Sequence, residues 1–322
     1  MYGGNKKMTF VVVGLGALGT TFAILLKKAG HKVFALVKER QLAALSTCKV
    51  GITGIWGEHE AVLDGIYSGV EPLMGQCVDI IILTVKSFDT RQAVSMIVPL
   101  VGRDVIVMSA QNGYGNYETV AQLVGKEHAL LARIIFGAKL LSHGRAEVTV
   151  IADKVRIGQP EGAVADEIIV RLASEIDRAG IPTAYAADVN EILWDKILYN
   201  CALNPLGALL ECNYGALAEY ADARDVMNGI IREIFEVARA HSIMLHWDAP
   251  DDYMKHFYGK LVPPTKEHYP SMYYDLKAGK RLEIDALNGA IVNLGLNKGV
   301  PVPVNETVTR LIRAKQAVLF GR

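Results

Sequence analysis

The stretch TFVVVGLGALG at residues 9–19 decides the fold of the first part of the chain. Its β-branched and aromatic start predicts a strand, and the glycines that follow have the spacing G-x-G-x-x-G. A helix predicted over 20–29 ends at Gly30. A strand, a glycine-rich turn and a helix in this order are typical of the first βα unit of a dinucleotide-binding sheet.

Each glycine of this turn has its own physical role. Gly14 permits a tight turn, Gly16 lets the backbone approach a pyrophosphate, and Gly19 lets the helix lie close to the strand. The amino end of the helix adds N–H groups and a positive dipole for phosphates. A glycine-rich turn without a ligand is the alternative, which the position between a strand and a helix disfavours. The predicted cofactor-binding loop consists of Gly14, Leu15, Gly16, Ala17, Leu18 and Gly19.

The rest of the first part alternates apolar runs with amphipathic segments. Strands are predicted at 32–37, 79–85 and 104–110, and a helix at 118–123. The run DIIILTV at 79–85 is apolar nearly throughout, as expected of a parallel strand that is buried on both faces. Strands separated by helices imply right-handed βαβ units and a doubly wound parallel sheet.

The pattern changes after Leu130. The segment 146–158 predicts two strands that meet at a short turn near 152–153. A helix at 165–179 and a short strand at 183–187 follow.

From residue 188 onward the strand pattern is absent and helical periodicity dominates. Helices are predicted at 189–212, 224–242, 271–278, 283–297 and 304–319. The predicted fold class is therefore α/β, with an N-terminal Rossmann-type doubly wound sheet and an all-helical C-terminal domain. We place the first domain at residues 1–187 and the second at residues 188–322.

Composition excludes several classes of partner. The net charge is zero, which disfavours nucleic-acid binding. No apolar run approaches the ~20 residues that cross a bilayer, and MYGGNKK at 1–7 has no apolar signal-peptide core.

The cysteines show neither C-x-x-C pairs nor zinc-ligand spacing, so we expect buried free thiols in a reducing cytoplasm and no metal site. They are Cys48, Cys77, Cys201 and Cys212.

The end of the second predicted strand bears on which dinucleotide binds. NAD sites usually place Asp or Glu there to hold the ribose 2′-hydroxyl, whereas this strand ends with Lys38. A lysine attracts a 2′-phosphate, and Arg40 adds to this unless Glu39 turns inward. The sequence therefore favours NADPH, with an ordinary exposed lysine at position 38 as the alternative.

Two further strand ends carry polar side chains. Lys86 follows the strand at 79–85, and Asn112 follows the strand at 104–110. Each is either a capping or turn residue, or part of a site, because ligands of doubly wound sheets bind outside the carboxyl ends of the strands. Their place at the same edge as the glycine loop favours the site.

The helix that contains WDKILYNCALNPLGALL at 194–210 carries Lys196, Asn200 and Asn204 at intervals of four residues, on one face. This stripe is either the solvated face of the helix or the lining of a cleft that holds a polar ligand. Pro205 should kink or interrupt the helix because it lacks an N–H group.

A second helix contributes a carboxylate. Glu283 stands at the start of the helix predicted at 283–297, on the face of Leu287 and Ala290. It either points into the same cleft or is a first-turn carboxylate that the helix dipole favours.

These stretches together resemble the ketopantoate reductase family (2-dehydropantoate 2-reductase). The resemblance runs in order over nearly the whole chain. It is carried by VVVGLGALG at 11–19, GHKVFALVK at 30–38, TVK at 84–86, QNG at 111–113, W-x-K-x-x-x-N-x-x-x-N-P-L at 194–206, PSM at 270–272 and EID–LNG within 283–289.

The resemblance implies reduction of the 2-oxo group of ketopantoate to pantoate with NADPH, a step of pantothenate biosynthesis, at a cleft between a Rossmann-type domain and a helical domain. It implies that Lys196 and Glu283 are the catalytic residues and that Glu283 also contacts the cofactor. An ammonium can stabilise the developing negative charge and donate the proton, which suits Lys196, and Glu283 either hydrogen-bonds the new hydroxyl or holds Lys196 in place. The remaining residues that it assigns are Asn112, Asn200, Asn204 and Ser271 for the substrate, and Lys38, Lys86 and Asn112 for the cofactor. Lys38 departs from the arginine that the family often has at that position, and lysine lacks the bidentate fork of arginine.

Two other functions fit the same residues. One is a paralogous reductase of another branched 2-oxo acid, which leaves no distinguishing motif because one methylene of pocket shape is worth only ~1–3 kcal/mol. The other is a non-catalytic module that senses NADP(H), which would not need the Lys196 and Glu283 pair. A homodimer is compatible with the sequence, which carries no direct indication of oligomeric state.

Overall fold

The computed structural model describes residues 7–321, which divide into two compact units. One unit contains the chain up to Asn112 together with Asn116–Val189, and the other contains Gly113–Gly115 together with the chain from Asn190. Most of the segment MYGGNKK, on which the signal-peptide expectation rests, lies outside the described residues.

The first unit contains two sheets. The strands in chain order are β1 (Thr9–Val13), β2 (Lys32–Leu36), β3 (Lys49–Gly54), β4 (His59–Val62), β5 (Gly65–Tyr67), β6 (Ile80–Leu83), β7 (Ile106–Ser109), β8 (Ala129–Arg133), β9 (Phe136–Ser142), β10 (Arg145–Ile151), β11 (Val155–Gly158) and β12 (Thr183–Tyr185). The larger sheet has the order β12-β11-β8-β7-β6-β1-β2-β5. Its neighbours are parallel except for β8 and β11. The predicted doubly wound, Rossmann-type sheet is confirmed.

Five α-helices lie in the described part of this unit. They are α1 (Ala17–Lys28), α2 (Glu39–Leu42), α3 (Thr90–Ile97), α4 (Asn116–Val124) and α5 (Asp166–Arg178). The helix predicted at 20–29 begins three residues earlier, at Ala17, so the last three residues of the glycine motif are already helical. Gly30 follows its end with φ +91°, as a helix-ending glycine should.

The smaller sheet, with the order β4-β3-β10-β9, was not predicted from the sequence. It packs against α1, whose other side lies on β1 and β2 of the larger sheet. Residues 19–26 of α1 are therefore buried without interruption. The strands predicted within 146–158 exist, but β10 pairs with β3 and β9 whereas β11 pairs with β8 and β12. The turn between them joins two sheets.

The second unit is helical, as predicted. Its helices are α6 (Val189–Leu210), α7 (Tyr214–Glu219), α8 (Ala221–Ala240), α9 (Pro250–His256), α10 (Ser271–Lys277), α11 (Asn288–Lys298) and α12 (Pro303–Phe320). The short helices α7 and α9, of six and seven residues, were not predicted. No helix in the described part of the chain is both long and apolar enough to cross a membrane.

Helix α6 is continuous from Val189 to Leu210, so the predicted interruption at Pro205 is wrong. Proline cannot donate to the carbonyl four residues earlier, which is that of Cys201. The side chain of Asn288, at the start of α11, donates to this carbonyl instead, with Nδ2 3.1 Å from the oxygen. The amide thus replaces the hydrogen bond that Pro205 removes.

The four cysteines are free thiols, as expected. The expectation that they are buried holds for Cys201, where burial raises the thiol pKa, and is wrong for Cys77, which is exposed. Cys48 and Cys212 are half-buried.

Candidate functional site

Four neighbouring strands of the larger sheet deliver the residues that the sequence singled out in the first unit. The strands β7, β6, β1 and β2 are consecutive and parallel, so their carboxyl ends share one edge. The glycine loop follows β1, Lys38 follows β2, Lys86 follows β6 and Asn112 follows β7. The predicted convergence of these segments at one edge of the sheet is present.

The three glycines of the loop differ in their surroundings. Gly14 has φ +95°, which residues other than glycine rarely adopt. A Cβ atom on Gly19 would collide with the carbonyl oxygen of Gly14 and would lie 2.5 Å from Oγ1 of Thr84. A Cβ atom on Gly16 would meet nothing within 4 Å. Gly14 and Gly19 are thus required by the fold itself, whereas Gly16 borders open space.

The space beside Gly16 fits the pyrophosphate of a dinucleotide. Gly16 is the N-cap of α1, where no side chain caps the helix and the first turn has no acidic residue. The first N–H groups of a helix lack partners within the helix, and its dipole favours anions. An anion can approach this backbone without meeting a side chain of residue 16 or a nearby carboxylate of the first turn.

Thr84, which directly follows β6, connects the glycine loop to this neighbouring strand of the sheet. Sequence reasoning missed this role. Its hydroxyl lies 2.6 Å from the carbonyl oxygen of Gly14 and 3.1 Å from that of Val13. The one indication in the sequence is a hydroxyl residue directly after four apolar strand residues.

A buried amide network joins the segments that carry Lys86 and Asn112. Gln111 donates through Nε2 to the carbonyl of Val85 at 2.9 Å and to Oγ1 of Thr90 at 2.6 Å. Thr90 donates to Oδ1 of Asn116 at 2.7 Å, and Nδ2 of Asn116 donates to the carbonyl of Asn112 at 2.9 Å. Because its members are buried, this network fixes the backbone beside both residues.

Lys38 lies where the sequence placed it, at the end of β2, and its side chain is 51% exposed. Its ammonium is 2.7 Å from Oδ2 of Asp89, a partner that sequence reasoning did not identify. The backbone N–H of Lys38 donates to Oε1 of Gln41 at 3.1 Å, so the main chain is anchored while the side chain reaches outward.

In the second unit, the polar stripe of α6 is largely shielded from solvent. Asn200 and Asn204 are buried, and Lys196 is half-buried. The apolar residues between them are buried as well, including Ile197 and Leu198. The stripe is therefore not a solvated face, and two amides are held in the interior of the protein.

The amide of Asn204 has a partner within its own unit. The hydroxyl of Tyr214 donates to Oδ1 of Asn204 at 2.9 Å. Burial raises the pKa of Tyr214, which keeps the hydroxyl protonated and able to donate. Asn204 therefore holds Tyr214 in place whatever else it contacts.

Ser271 and Glu283 lie on different elements. Ser271 is the exposed first residue of α10, after Pro270. Pro270 packs against Gly207 of α6, where a Cβ atom would come within 2.8 Å of Pro270 Cγ. Glu283 is half-buried and precedes a 3₁₀ turn at Ile284–Ala286, so the prediction that it starts a long helix is wrong. Helix α11 begins only at Asn288.

Two models of protein families match the chain. The model described as Ketopantoate reductase PanE/ApbA matches residues 10–162, and the model described as Ketopantoate reductase PanE/ApbA C terminal matches residues 188–316. Together they cover most of both units.

Similar proteins span almost the same length. The chain is 45% identical over 311 residues to a protein of Aquifex aeolicus (strain VF5) named 2-dehydropantoate 2-reductase, covering 96% of this chain and 97% of that protein. A protein of the same name from Pyrococcus horikoshii is 28% identical over 319 residues, with 98% and 99% covered.

Solved structures give the same picture. A PanE/ApbA family ketopantoate reductase from Ralstonia eutropha JMP134 matches with a TM-score of 0.84 and 27% identity, covering 97% of this chain and 99% of that one. A D-mandelate dehydrogenase solved with NADH and anilino(oxo)acetate shares the fold, with a TM-score of 0.86, 24% identity, and 97% and 99% covered.

Proposed function

The chain belongs to the ketopantoate reductase family, and on that premise we propose that it reduces the 2-oxo group of 2-dehydropantoate to the hydroxyl of pantoate with NADPH. The observation that carries the proposal is the polar stripe of α6, in which the half-buried Lys196 and the buried amides of Asn200 and Asn204 stand in a stretch rich in buried apolar residues. Burying amides costs free energy, which a purely structural helix would avoid by using apolar residues.

Lys196 is proposed as the proton donor. NADPH, when bound, supplies a hydride to the carbonyl carbon, and negative charge then develops on the carbonyl oxygen. An ammonium within hydrogen-bond reach stabilises that charge and transfers a proton to it, which completes the alcohol. Lys196 is half-buried, so water screens it less than it screens a surface lysine.

The other polar residues of the second unit divide by position. From Lys196 to Asn204 the helix rises about 12 Å, at ~1.5 Å per residue, which is longer than a small oxo acid. We therefore propose that Asn200 lies closer to the reacting carbonyl, while Asn204 chiefly holds Tyr214. Glu283 is proposed to orient Lys196 or the new hydroxyl and to contact the cofactor, and Ser271 to bind the substrate carboxylate.

In the first unit we propose that the loop 14–19 binds the pyrophosphate. Lys38 is proposed to bind the 2′-phosphate. Lys86 and Asn112 are proposed to contact the nicotinamide half of the cofactor, because they follow the neighbouring strands on the other side of the loop. Asn112 is also proposed as a substrate contact.

A different branched 2-oxo acid is the second candidate substrate, because pocket shape is not encoded in any of these residues. A sensor that binds NADP(H) without chemistry is disfavoured by the stripe, since binding alone does not require a proton donor.

We also propose a cytoplasmic location, in keeping with a biosynthetic reductase. A homodimer remains a prediction that sedimentation analysis would test.

The test is oxidation of NADPH, followed by absorbance, against a panel of 2-oxo acids that includes 2-dehydropantoate and its straight-chain isomers. We expect kcat/KM to be highest for 2-dehydropantoate. A higher value for another acid would favour the second candidate. Binding of NADPH without turnover of any acid would indicate the sensor.

A further inference from the structure

A lysine–aspartate ion pair links the two strands that flank the glycine loop. Lys38 follows β2 and Asp89 follows β6, while β1, which leads into the loop, lies between them in the sheet. The ammonium and the carboxylate are nevertheless 2.7 Å apart. The pair therefore bridges the edge at which the loop emerges.

The ion pair with Asp89 weakens the electrostatic attraction of Lys38 for an anion. An ammonium with a carboxylate in contact has no net charge, so its field falls off faster than that of an isolated ammonium. A phosphate monoester carries about 1.5 to 2 negative charges near pH 7. A phosphate that binds Lys38 must share the ammonium with Asp89 or displace Asp89, and the carboxylate opposes it in either case.

The two side chains are not equally held. The side chain of Lys38 is 51% exposed and that of Asp89 is 22% exposed. Asp89 lies at the start of α3, where its carboxylate does not cap the helix. Lys38 is therefore the partner with more room to turn, and Asp89 is the more fixed negative charge.

We propose that Asp89 is a specificity-determining residue, which narrows the preference for NADPH over NADH by competing with the 2′-phosphate for Lys38. The inference rests on the proposed function, since it requires a nicotinamide dinucleotide at the glycine loop. A cofactor with a free 2′-hydroxyl meets no such opposition, because a carboxylate accepts a hydrogen bond from a hydroxyl.

The test is calorimetric binding of NADP⁺ and NAD⁺, measured separately, to the wild type and to Asp89→Asn. Asparagine keeps the shape and removes only the charge. We expect the Kd for NADP⁺ to fall ~3–10-fold, somewhat above the weight of a partly exposed charge pair because repulsion is removed as well. The Kd for NAD⁺ should change less than ~2-fold, and the gain for NADP⁺ should shrink as salt is raised.

Glu161→Gln is the matched control. Lys126 and Glu161 form another exposed lysine–carboxylate pair at 2.6 Å, but Lys126 precedes β8 and thus lies at the opposite, amino edge of the sheet. Its substitution should leave both Kd values unchanged. In a Lys38→Ala background the effect of Asp89→Asn should shrink, since the competition for Lys38 is gone.

Three results would overturn the inference. Equal strengthening of NADP⁺ and NAD⁺ would place Asp89 at a part shared by both cofactors. An unchanged or weaker affinity for NADP⁺ would mean that Asp89 holds Lys38 ready for the phosphate. If the wild type bound neither nucleotide, the proposed function would fall together with the inference, whereas the first two results leave that function intact.

Discussion

The glycine loop at 14–19 and the polar stripe of α6 are built in opposite ways. The loop depends on the absence of side chains, since a Cβ atom at Gly19 collides with the backbone of Gly14. The stripe depends on particular side chains, Lys196, Asn200 and Asn204, in a stretch of helix rich in buried apolar residues. The comparison teaches that one candidate site is made of backbone shape and the other of chemical groups.

This difference predicts how substitutions act in the two regions. In the loop, an added methyl group should act through space, on folding or on access. In the stripe, removal of the Lys196 ammonium should act on chemistry while the helix stays folded.

The largest expected effect is at Lys196. We expect Lys196→Ala to fold and to bind NADPH, but to lower turnover of the preferred 2-oxo acid by ~10²–10⁴-fold, the usual weight of a positioned acid. Circular dichroism and stopped-flow absorbance measure the two quantities. Lys298→Ala, at an exposed position on α11, is the control. Near-normal turnover of Lys196→Ala would remove this residue from the mechanism and leave the stripe without a chemical role.

The next contrast lies within the loop. We expect Gly19→Ala to lower the free energy of unfolding by ~1–3 kcal/mol, as overpacking does. Gly16→Ala should fold like the wild type, because its methyl group meets nothing within 4 Å, yet weaken NADP⁺ binding by at least ~10-fold by filling the space of the pyrophosphate. Thermal unfolding and calorimetry separate the two effects. Normal binding by a well-folded Gly16→Ala would place the nucleotide elsewhere.

A third experiment concerns the support of the stripe. Asn288→Ala should lower the free energy of unfolding by ~1–3 kcal/mol, because the carbonyl of Cys201 is left buried without a partner. Pro205→Ala restores an N–H group to this carbonyl, so the same change should cost ~1 kcal/mol less in that background. Urea unfolding of the four proteins of the cycle measures this. Equal costs in both backgrounds would show that Asn288 does not act through Cys201.

The last expected effect is at Lys38 and concerns only the choice of cofactor. Lys38→Asp should shift the ratio of kcat/KM for NADPH and NADH towards NADH by ~10-fold or more, since a carboxylate replaces a cation beside the 2′-phosphate. Lys28→Asp is a control at the far end of α1, which also reverses the charge of a lysine. An unchanged ratio in Lys38→Asp would mean that another residue, such as Arg40, reads the phosphate.

Much of the first unit could be predicted from the sequence because its constraints act on residue type. Only glycine suits Gly14 and Gly19, and only apolar residues suit a strand such as β6 that is buried on both faces. The smaller sheet escaped prediction because strands such as β4 are short and partly exposed, and are defined by partners distant in sequence. Asp89 escaped for the same reason, since its partner is 51 residues away.

In the second unit, several features could not be predicted because they depend on contacts between distant residues. The stripe of α6 was predicted from its spacing, but whether it faced water depended on packing that no local pattern records. Pro205 indicated a kink or an interruption of the helix, and the amide that satisfies the carbonyl of Cys201 belongs to Asn288, 87 residues beyond Cys201. Glu283 was predicted to start a helix because its neighbours suit one, whereas the chain forms a 3₁₀ turn there first.

The hydrogen bond from Asn288 to the carbonyl of Cys201 can form only late in the synthesis of the chain. The ribosome completes the segment 194–210 long before it adds Asn288, and at ~5–20 residues per second the delay after Cys201 is about 4–17 s. During this interval the carbonyl of Cys201 has neither its helical partner nor the amide that replaces it. The nascent helix is therefore weakest beside Asn200 and Asn204, and reaches its mature form only when α11 arrives. A chain stalled before residue 288 should expose this stretch of α6 to proteases, even if its first unit is already folded.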